Sequence, residues 1–219
     1  MIQHQGIWLP DGETHLTSWM STSGEIVDGK GTYQIKKLRA AISHCKNFRT
    51  ALDVGAHCGM WSMQLQKKFQ HVHAFEPVAA HRECFLRNVP NAEVDAMQSV
   101  TLHPFALGAH EGRVSILTEP TSSGDSRVGG IGDIPMVTLD SLNLQDIDFI
   151  KIDCEGYELY VLNGAVDLIH RWHPVIIVEQ KPKHAQVYGL RETQAVEWLG
   201  ERGYRLAREM AGDFIMVPE

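Results

Sequence analysis

Leu52-Asp53-Val54-Gly55-Ala56-His57-Cys58-Gly59 is the stretch from which the fold is read. The apolar run over 51–54 has the character of a parallel strand buried on both faces. Gly55 interrupts it. Trp61, Leu65 and Phe69 then recur at i, i+4 and i+8, which places them on one face of a helix predicted over 60–69. Strand, glycine turn and helix together form the layout of a small-molecule site at the carboxyl edge of an open α/β sheet.

The turn differs from the dinucleotide fingerprint G-x-G-x-x-G. Gly55 and Gly59 stand four residues apart with His57 between them, and Asp53 precedes the first glycine by two residues. A pyrophosphate seeks bare amides and the positive end of a helix, and a carboxylate at the strand tip repels it. A cationic ligand is attracted instead. S-adenosylmethionine carries an ammonium and a sulfonium and no phosphate. Asp53 is therefore a candidate to hold its ammonium, directly or through water, while Gly55 lets the backbone approach the ligand. The alternative is a strand-to-helix turn with no ligand.

Two further strand tips point to the same crevice. The run over 72–75 ends in Glu76, 23 residues after Asp53, where a carboxylate of an open α/β sheet faces the hydroxyls of an adenosine ribose. The run over 147–152 ends in Asp153-Cys154-Glu155-Gly156-Tyr157-Glu158. Asp153 and Glu155 are two residues apart, so in an extended segment they face one side. One is a candidate contact for the methionine moiety or the acceptor, and the other for a proton from an acceptor hydroxyl. Methyl transfer from a sulfonium depends mainly on alignment of oxygen, methyl and sulfur, with a general base helping an unactivated hydroxyl. For Glu155 the competing role is an acid at a helix N-terminus.

The rest of the chain supplies strands alternating with helices. Residues 1–30 are rich in Gly, Ser, Thr and Asp and read as an N-terminal arm or lid, with a hairpin turning at Asp28-Gly29. Trp8 is expected to pack the arm on the core. Helices are predicted over 32–45, 79–88 and 193–202, the last capped by Thr193 and stopped by Gly203. Leu159, Leu162, Val166 and Ile169 share another helix face. A strand over 100–107 carries Pro104, which suits an edge or a distortion, and 113–117 reads as its hairpin partner. Segment 121–132 reads as a flexible substrate flap, in which Asp125 and Arg127 either meet a polar acceptor or keep the loop soluble. The run over 175–178 ends in Glu179, and 205–208 with 214–217 reads as a closing antiparallel pair. The fold expected is a mostly parallel, doubly wound α/β sheet with a C-terminal antiparallel hairpin strand, spanning 31–219.

The 219 residues suit one domain with an appendage, and 43% hydrophobic residues can build its core. A net charge of −7 argues against nucleic acid as the partner, because phosphate neutralisation needs clustered Lys and Arg. Cys45, Cys58, Cys84 and Cys154 form no C-x-x-C pair and read as reduced thiols of a cytoplasmic protein. Residues 1–9 lack the basic start of a signal peptide, and no apolar run reaches the roughly 20 residues that span a bilayer. His71 and His73 have the period-2 spacing of two zinc ligands, but no third ligand is fixed, and no metal is expected. Glu179 is a second-rank base, and Lys181 and His184 read as solvated.

Five segments together resemble the successive motifs of the FkbM-type methyltransferases: Asp53 to Gly59, His73-Ala74-Phe75-Glu76-Pro77, Phe105-Ala106-Leu107-Gly108, Val137-Thr138-Leu139-Asp140-Ser141-Leu142, and Ile147 to Glu158. The resemblance runs over about 50–180. It implies a Rossmann-like class I methyltransferase fold, S-adenosylmethionine as cofactor and O-methylation. It places Gly55, His57, Gly59 and Glu76 on the cofactor and Ala106 near the adenine. His57 stands where family members often carry Asn. Segment 91–99 looks like an insertion, and residues 1–30 match no family motif. The expected activity is methylation of a hydroxyl on a sugar or glycan-like small molecule. The alternatives are an NAD-dependent oxidoreductase and a non-catalytic S-adenosylmethionine-binding module.

Overall fold

The computed structural model describes residues 1–94, 99–119 and 121–219. Its centre is an eight-stranded sheet in the order Tyr204–Met210, Asp213–Pro218, Val175–Glu179, Ile147–Ile152, Thr50–Val54, His71–Phe75, Val100–His103 and Ala92–Val94. Every pair from Val175–Glu179 to Ala92–Val94 is parallel. Asp213–Pro218 runs antiparallel to both of its neighbours, which is the expected closing hairpin. From Thr50–Val54 the chain steps outward to His71–Phe75 and Val100–His103, then returns to Ile147–Ile152 on the opposite side. The direction of winding therefore reverses between Thr50–Val54 and Ile147–Ile152, and a crevice opens at the carboxyl ends of these two strands.

Both faces of the sheet are buried, as the near-continuous apolar strands require. Alternate residues feed two cores. Ala51, Phe149 and Ile177 belong to one, and Leu52, Ile150 and Val178 to the other. The first core is covered by the N-terminal segment. A hairpin Ile2–His4/Ile7–Leu9, a helix His15–Ser23 and a helix Ile35–Ile42 pack there through Ile7, Leu9, Leu16, Met20 and Leu38, and a second hairpin, Ile26–Val27/Lys30–Gly31, links the two helices. The second hairpin turns at Asp28 and Gly29, both at positive φ (52° and 75°). Trp8 packs against this core, with its amide donating to Asn88 Oδ1 at 2.7 Å and Arg87 over its ring.

Several elements differ from the sequence reading. The helix predicted over 60–69 is only Ser62–Leu65, although Trp61, Leu65 and Phe69 are all buried. The single helix after Glu158 is two, Glu158–Asn163 and Val166–Trp172, and Val166 is 40% exposed. The break is at Gly164, where a Cβ would lie 2.0 Å from the Gly108 carbonyl oxygen. The strand predicted over 100–107 divides at Pro104. Val100–His103 stays in the large sheet, and Ala106–Leu107 joins a small one. In that small sheet Ile134–Val137 lies between Ala106–Leu107 and Gly112–Val114, so the latter is not the direct hairpin partner expected. Segment 121–132 holds a 3₁₀ turn, Ser123–Asp125, and a strand, Arg127–Val128, paired with Ile116–Leu117. Of the suspected insertion at 91–99, Ala92–Val94 is the edge strand, and 95–98 lie outside the described residues.

Gly164→Ala is expected to destabilise the fold by about 1–3 kcal/mol through overpacking against Gly108. Gly200→Ala lies in a helix where an added Cβ would meet nothing within 4 Å. It is expected to stabilise by about 0.4–1 kcal/mol. Urea unfolding of both variants measures the contrast.

Candidate active site

The turn after Thr50–Val54 is shaped by its glycines. Gly55 has φ +75°, and a Cβ on it would lie 1.9 Å from the Asp153 carbonyl oxygen. The glycine is thus demanded by the neighbouring strand end as well as by the turn. Gly59 has φ +81° and faces the Phe85 ring at 2.7 Å from the position of a Cβ. His57, also left-handed at φ 50°, donates its backbone N–H to Glu76 Oε2 at 2.8 Å. Glu76 Oε1 accepts the Val78 N–H at 2.8 Å and lies 3.3 Å from His81 Nδ1. Burial disfavours the Glu76 charge, but His81, His57 and the Val78 amide outweigh it and hold the carboxyl below its ordinary value. The His57 ring, 2.8 Å from Ser123 Oγ, stays neutral: burial and then His81 lower its pKa to about 3.

Two cavities meet above this turn and share Gly55, His57, Gly124 and Asp153. The first has Glu76 at one wall and Val54, Phe105, Ala106, Leu107 and Val128 as apolar lining. The second is polar and mixed in charge, lined by His15, Tyr33, Trp61, Asp125, Lys151, Asp153, Glu155 and Lys181. Segment 121–132 contributes to both, and the helix His15–Ser23 to the second. Glu13 holds this cover in place, accepting from the backbone N–H of Ser123 at 2.7 Å and from its hydroxyl.

Beneath the second cavity lies a chain of buried charges. Lys151 stands in register with Asp53 on the neighbouring strand. Its ammonium donates to the Gly55 carbonyl at 2.7 Å and lies 3.4 Å from Asp53 Oδ1 and 3.7 Å from Asp153 Oδ2. Burial opposes its charge, but Asp153 and Asp53 more than compensate and raise its pKa. Burial likewise opposes the Asp153 charge, and Lys151 and Lys181 pull its pKa below the usual value. Glu155 is raised to about 8 and Glu179 to about 10, in both cases by burial and then by Asp153. Lys181 Nζ is 2.8 Å from Glu179 Oε1 and 3.7 Å from Glu155 Oε1. His184 Nδ1 is 2.6 Å from Glu155 Oε2.

The chain matches the model of the FkbM methyltransferase domain over residues 53–206. It belongs to the FkbM methyltransferase family. An FkbM methyltransferase is a methyl-transferring enzyme, and S-adenosylmethionine is its cofactor. No curated protein matches the chain. Among solved structures, it is similar to a TehB-like S-adenosylmethionine-dependent methyltransferase from Corynebacterium glutamicum (11% identity, TM-score 0.50, covering 93% of this chain and 94% of that one). A methyltransferase FkbM from Methylobacillus flagellatus is 20% identical over 77% of this chain, with TM-score 0.49. This chain spans 42% of the length of that one. The oxidoreductase alternative is set aside by the family.

The fold of this FkbM methyltransferase brings most of the predicted residues together. Gly55, His57, Glu76, Ala106, Asp153 and Glu155 line one or both cavities. Asp53 and Gly59 line neither. Asp53 is fully buried, accepts from Ser62 Oγ at 2.6 Å and faces Lys151, so the cation it meets is the protein's own. The reading of Lys181 and His184 as solvated is corrected: Lys181 is drawn in by Glu179 and Glu155, and His184 by Glu155. The helix N-terminal acid is Glu158, whose Oε1 accepts the Cys154 and Gly156 N–H groups at 3.0 and 2.9 Å, not Glu155. His73 pairs with His103 at 3.0 Å, and His71 is exposed. Sequence reasoning misses Tyr33, Glu13, Ser123 and Lys151. For Lys151 a signal exists, since a lysine between Ile150 and Ile152 in a buried strand needs a partner.

Lys151→Met is expected to cost about 3–5 kcal/mol, because it strands the Asp53 carboxylate without its cation. Asp53→Asn in the same chain should restore part of the loss, and a double-mutant cycle in urea measures the coupling.

Proposed function

We propose that this chain transfers a methyl group from S-adenosylmethionine to a hydroxyl of a small polyhydroxylated acceptor, a sugar or glycan-like molecule. The observation that carries the reading is the union of two unlike cavities at Asp153: one mainly apolar with Glu76 at its far wall, the other polar with charges of both signs. The first fits an adenosine. Glu76 retains acceptor capacity for the ribose hydroxyls beyond the three groups already placed on it, and Phe105, Ala106 and Leu107 supply the adenine wall. The Gly55 turn and His57 lie between the cavities, where the methionine part passes.

When bound, the cofactor supplies an electrophilic methyl on a sulfonium. Asp153 and Glu155 are the carboxylates on the acceptor side. Asp153, held ionised by Lys151 and Lys181, places negative charge near the cationic group. Glu155 is positioned to receive the hydroxyl proton. Asp53 acts through Lys151, fixing the Gly55 carbonyl and the Asp153 carboxylate, and so is a positioning residue. The mixed donors and acceptors of the second cavity, with Trp61 and Tyr33 beside them, suit a polyol. The net charge of −7 supports a small acceptor rather than a nucleic acid.

Residues 1–30 serve in this reading as a cover attached to the methyltransferase domain, 31–219. Four cysteines without a disulfide support a cytoplasmic site of action. Among the described residues no helix is long and apolar enough to cross a membrane.

Glu76→Ala is expected to weaken S-adenosylmethionine binding by about 10²-fold, the loss of two hydrogen bonds to a charged group; calorimetry that finds undiminished affinity overturns the ribose assignment. The acceptor reading is tested by S-adenosylhomocysteine release with panels of sugars, amines and RNA. Turnover with polyhydroxylated compounds and a product heavier by one methyl is expected. Turnover with amines or RNA alone overturns it.

A further inference from the structure

Glu155, Glu179 and His184 come from two loops and a strand end, yet each presents one ligand atom, and these atoms all lie within 4.8 Å of one another. Ligands on one cation about 2.1 Å away stand no more than about 4.2 Å apart, so the group is within a sub-ångström closure of a coordination shell. A second observation points to the same spot. Glu155 Oε2, Glu179 Oε1 and His184 Nδ1 are buried and make no aligned hydrogen bond; their near polar neighbours are one another and the Lys181 ammonium, 2.8 Å from Glu179 Oε1. Glu155 and Glu179 are only 7% and 2% exposed, and buried polar atoms of this kind normally have partners. Glu155 Oε2 and His184 Nδ1 approach to 2.6 Å without the alignment of a hydrogen bond. Three ligand atoms gathered this closely around one ammonium are an arrangement that a cation satisfies.

We propose that Glu155, Glu179 and His184 bind a divalent first-row metal ion beside the second cavity, which Glu155 lines. Two carboxylates and one imidazole favour Mn²⁺, Fe²⁺ or Zn²⁺ over Mg²⁺ or Ca²⁺, which prefer all-oxygen shells. Lys181, 2.8 Å from Glu179 and 36% exposed, is the internal cation that must swing outward on metal binding. Binding stands apart from the methyl-transfer reading. Only the metal's use rests on that reading: an open coordination position can take the acceptor's hydroxyl oxygen and lower its pKa, while Glu155 Oε1 remains available for the proton.

The test is titration of Mn²⁺ into the whole chain without S-adenosylmethionine, followed by the electron paramagnetic resonance signal of the free ion and by calorimetry. One Mn²⁺ per chain is expected, weakened at least about tenfold by Glu179→Gln and by His184→Ala. Lys181→Gln is expected to tighten binding, because it removes the competing ammonium. Circular dichroism establishes that each variant is folded, and Lys181→Gln decides the matter if the others are not. Absence of a stoichiometric site, or binding that none of the three substitutions changes, overturns the proposal. Because no methyl donor or acceptor is present, a wrong acceptor assignment leaves this result intact.

Discussion

A single ammonium inside the sheet holds the strand tips in place. Lys151 reaches from Ile147–Ile152 to Asp53 on one side and Asp153 on its own strand, and bonds the Gly55 carbonyl between them. Two carboxylates this close, in a site stripped of water, repel each other strongly unless a cation lies between them. With it, the motif turn and the end of the next strand become one rigid edge. Gly55 completes that edge, since any side chain there would collide with the Asp153 carbonyl. The glycine conventionally read as room for a ligand is also room for the backbone next door.

The cover over the cavities depends on this edge. Glu13, from the N-terminal segment, holds Ser123, and Ser123 meets the His57 ring. Arm, flap and motif turn therefore form one hydrogen-bonded path. His57 joins the two parts: its ring buttresses the flap, and it lines both cavities. Neutral imidazole is the form that this path uses, because burial keeps the ring unprotonated.

The charges around Glu155 show how crowding separates the pKa values of neighbouring acids. Asp153 is kept ionised by two lysines, and its charge, together with burial, drives Glu155 and Glu179 upward. Neighbouring acids whose environments separate their pKa values are what proton transfer or cation binding requires. Lys181 and His184, from the loop after Val175–Glu179, close this group.

The alternation of buried strands and helices, the three acidic strand tips and the turn at Gly55 were legible in the sequence, because burial, periodicity and backbone sterics act over a few neighbouring residues. These local rules determined the sheet, the crevice and the family. They failed where a partner lies far along the chain. Asp53 reads as a carboxylate in need of a cation, but only the register of two strands, which sets it beside a residue 98 positions along the chain, shows that the cation is Lys151. Helix lengths changed for the same reason: Gly164 breaks its helix because Gly108 lies against it. Lys181, His184, Glu13 and Ser123 look like solvated loop residues one at a time, and acquire roles only when the sheet brings their loops to one edge. The sequence by itself determined which groups meet at the strand tips. Tertiary structure decided which of them face the cavity and which face each other, since electrostatic pairing in a buried site is set by distance in space rather than along the chain.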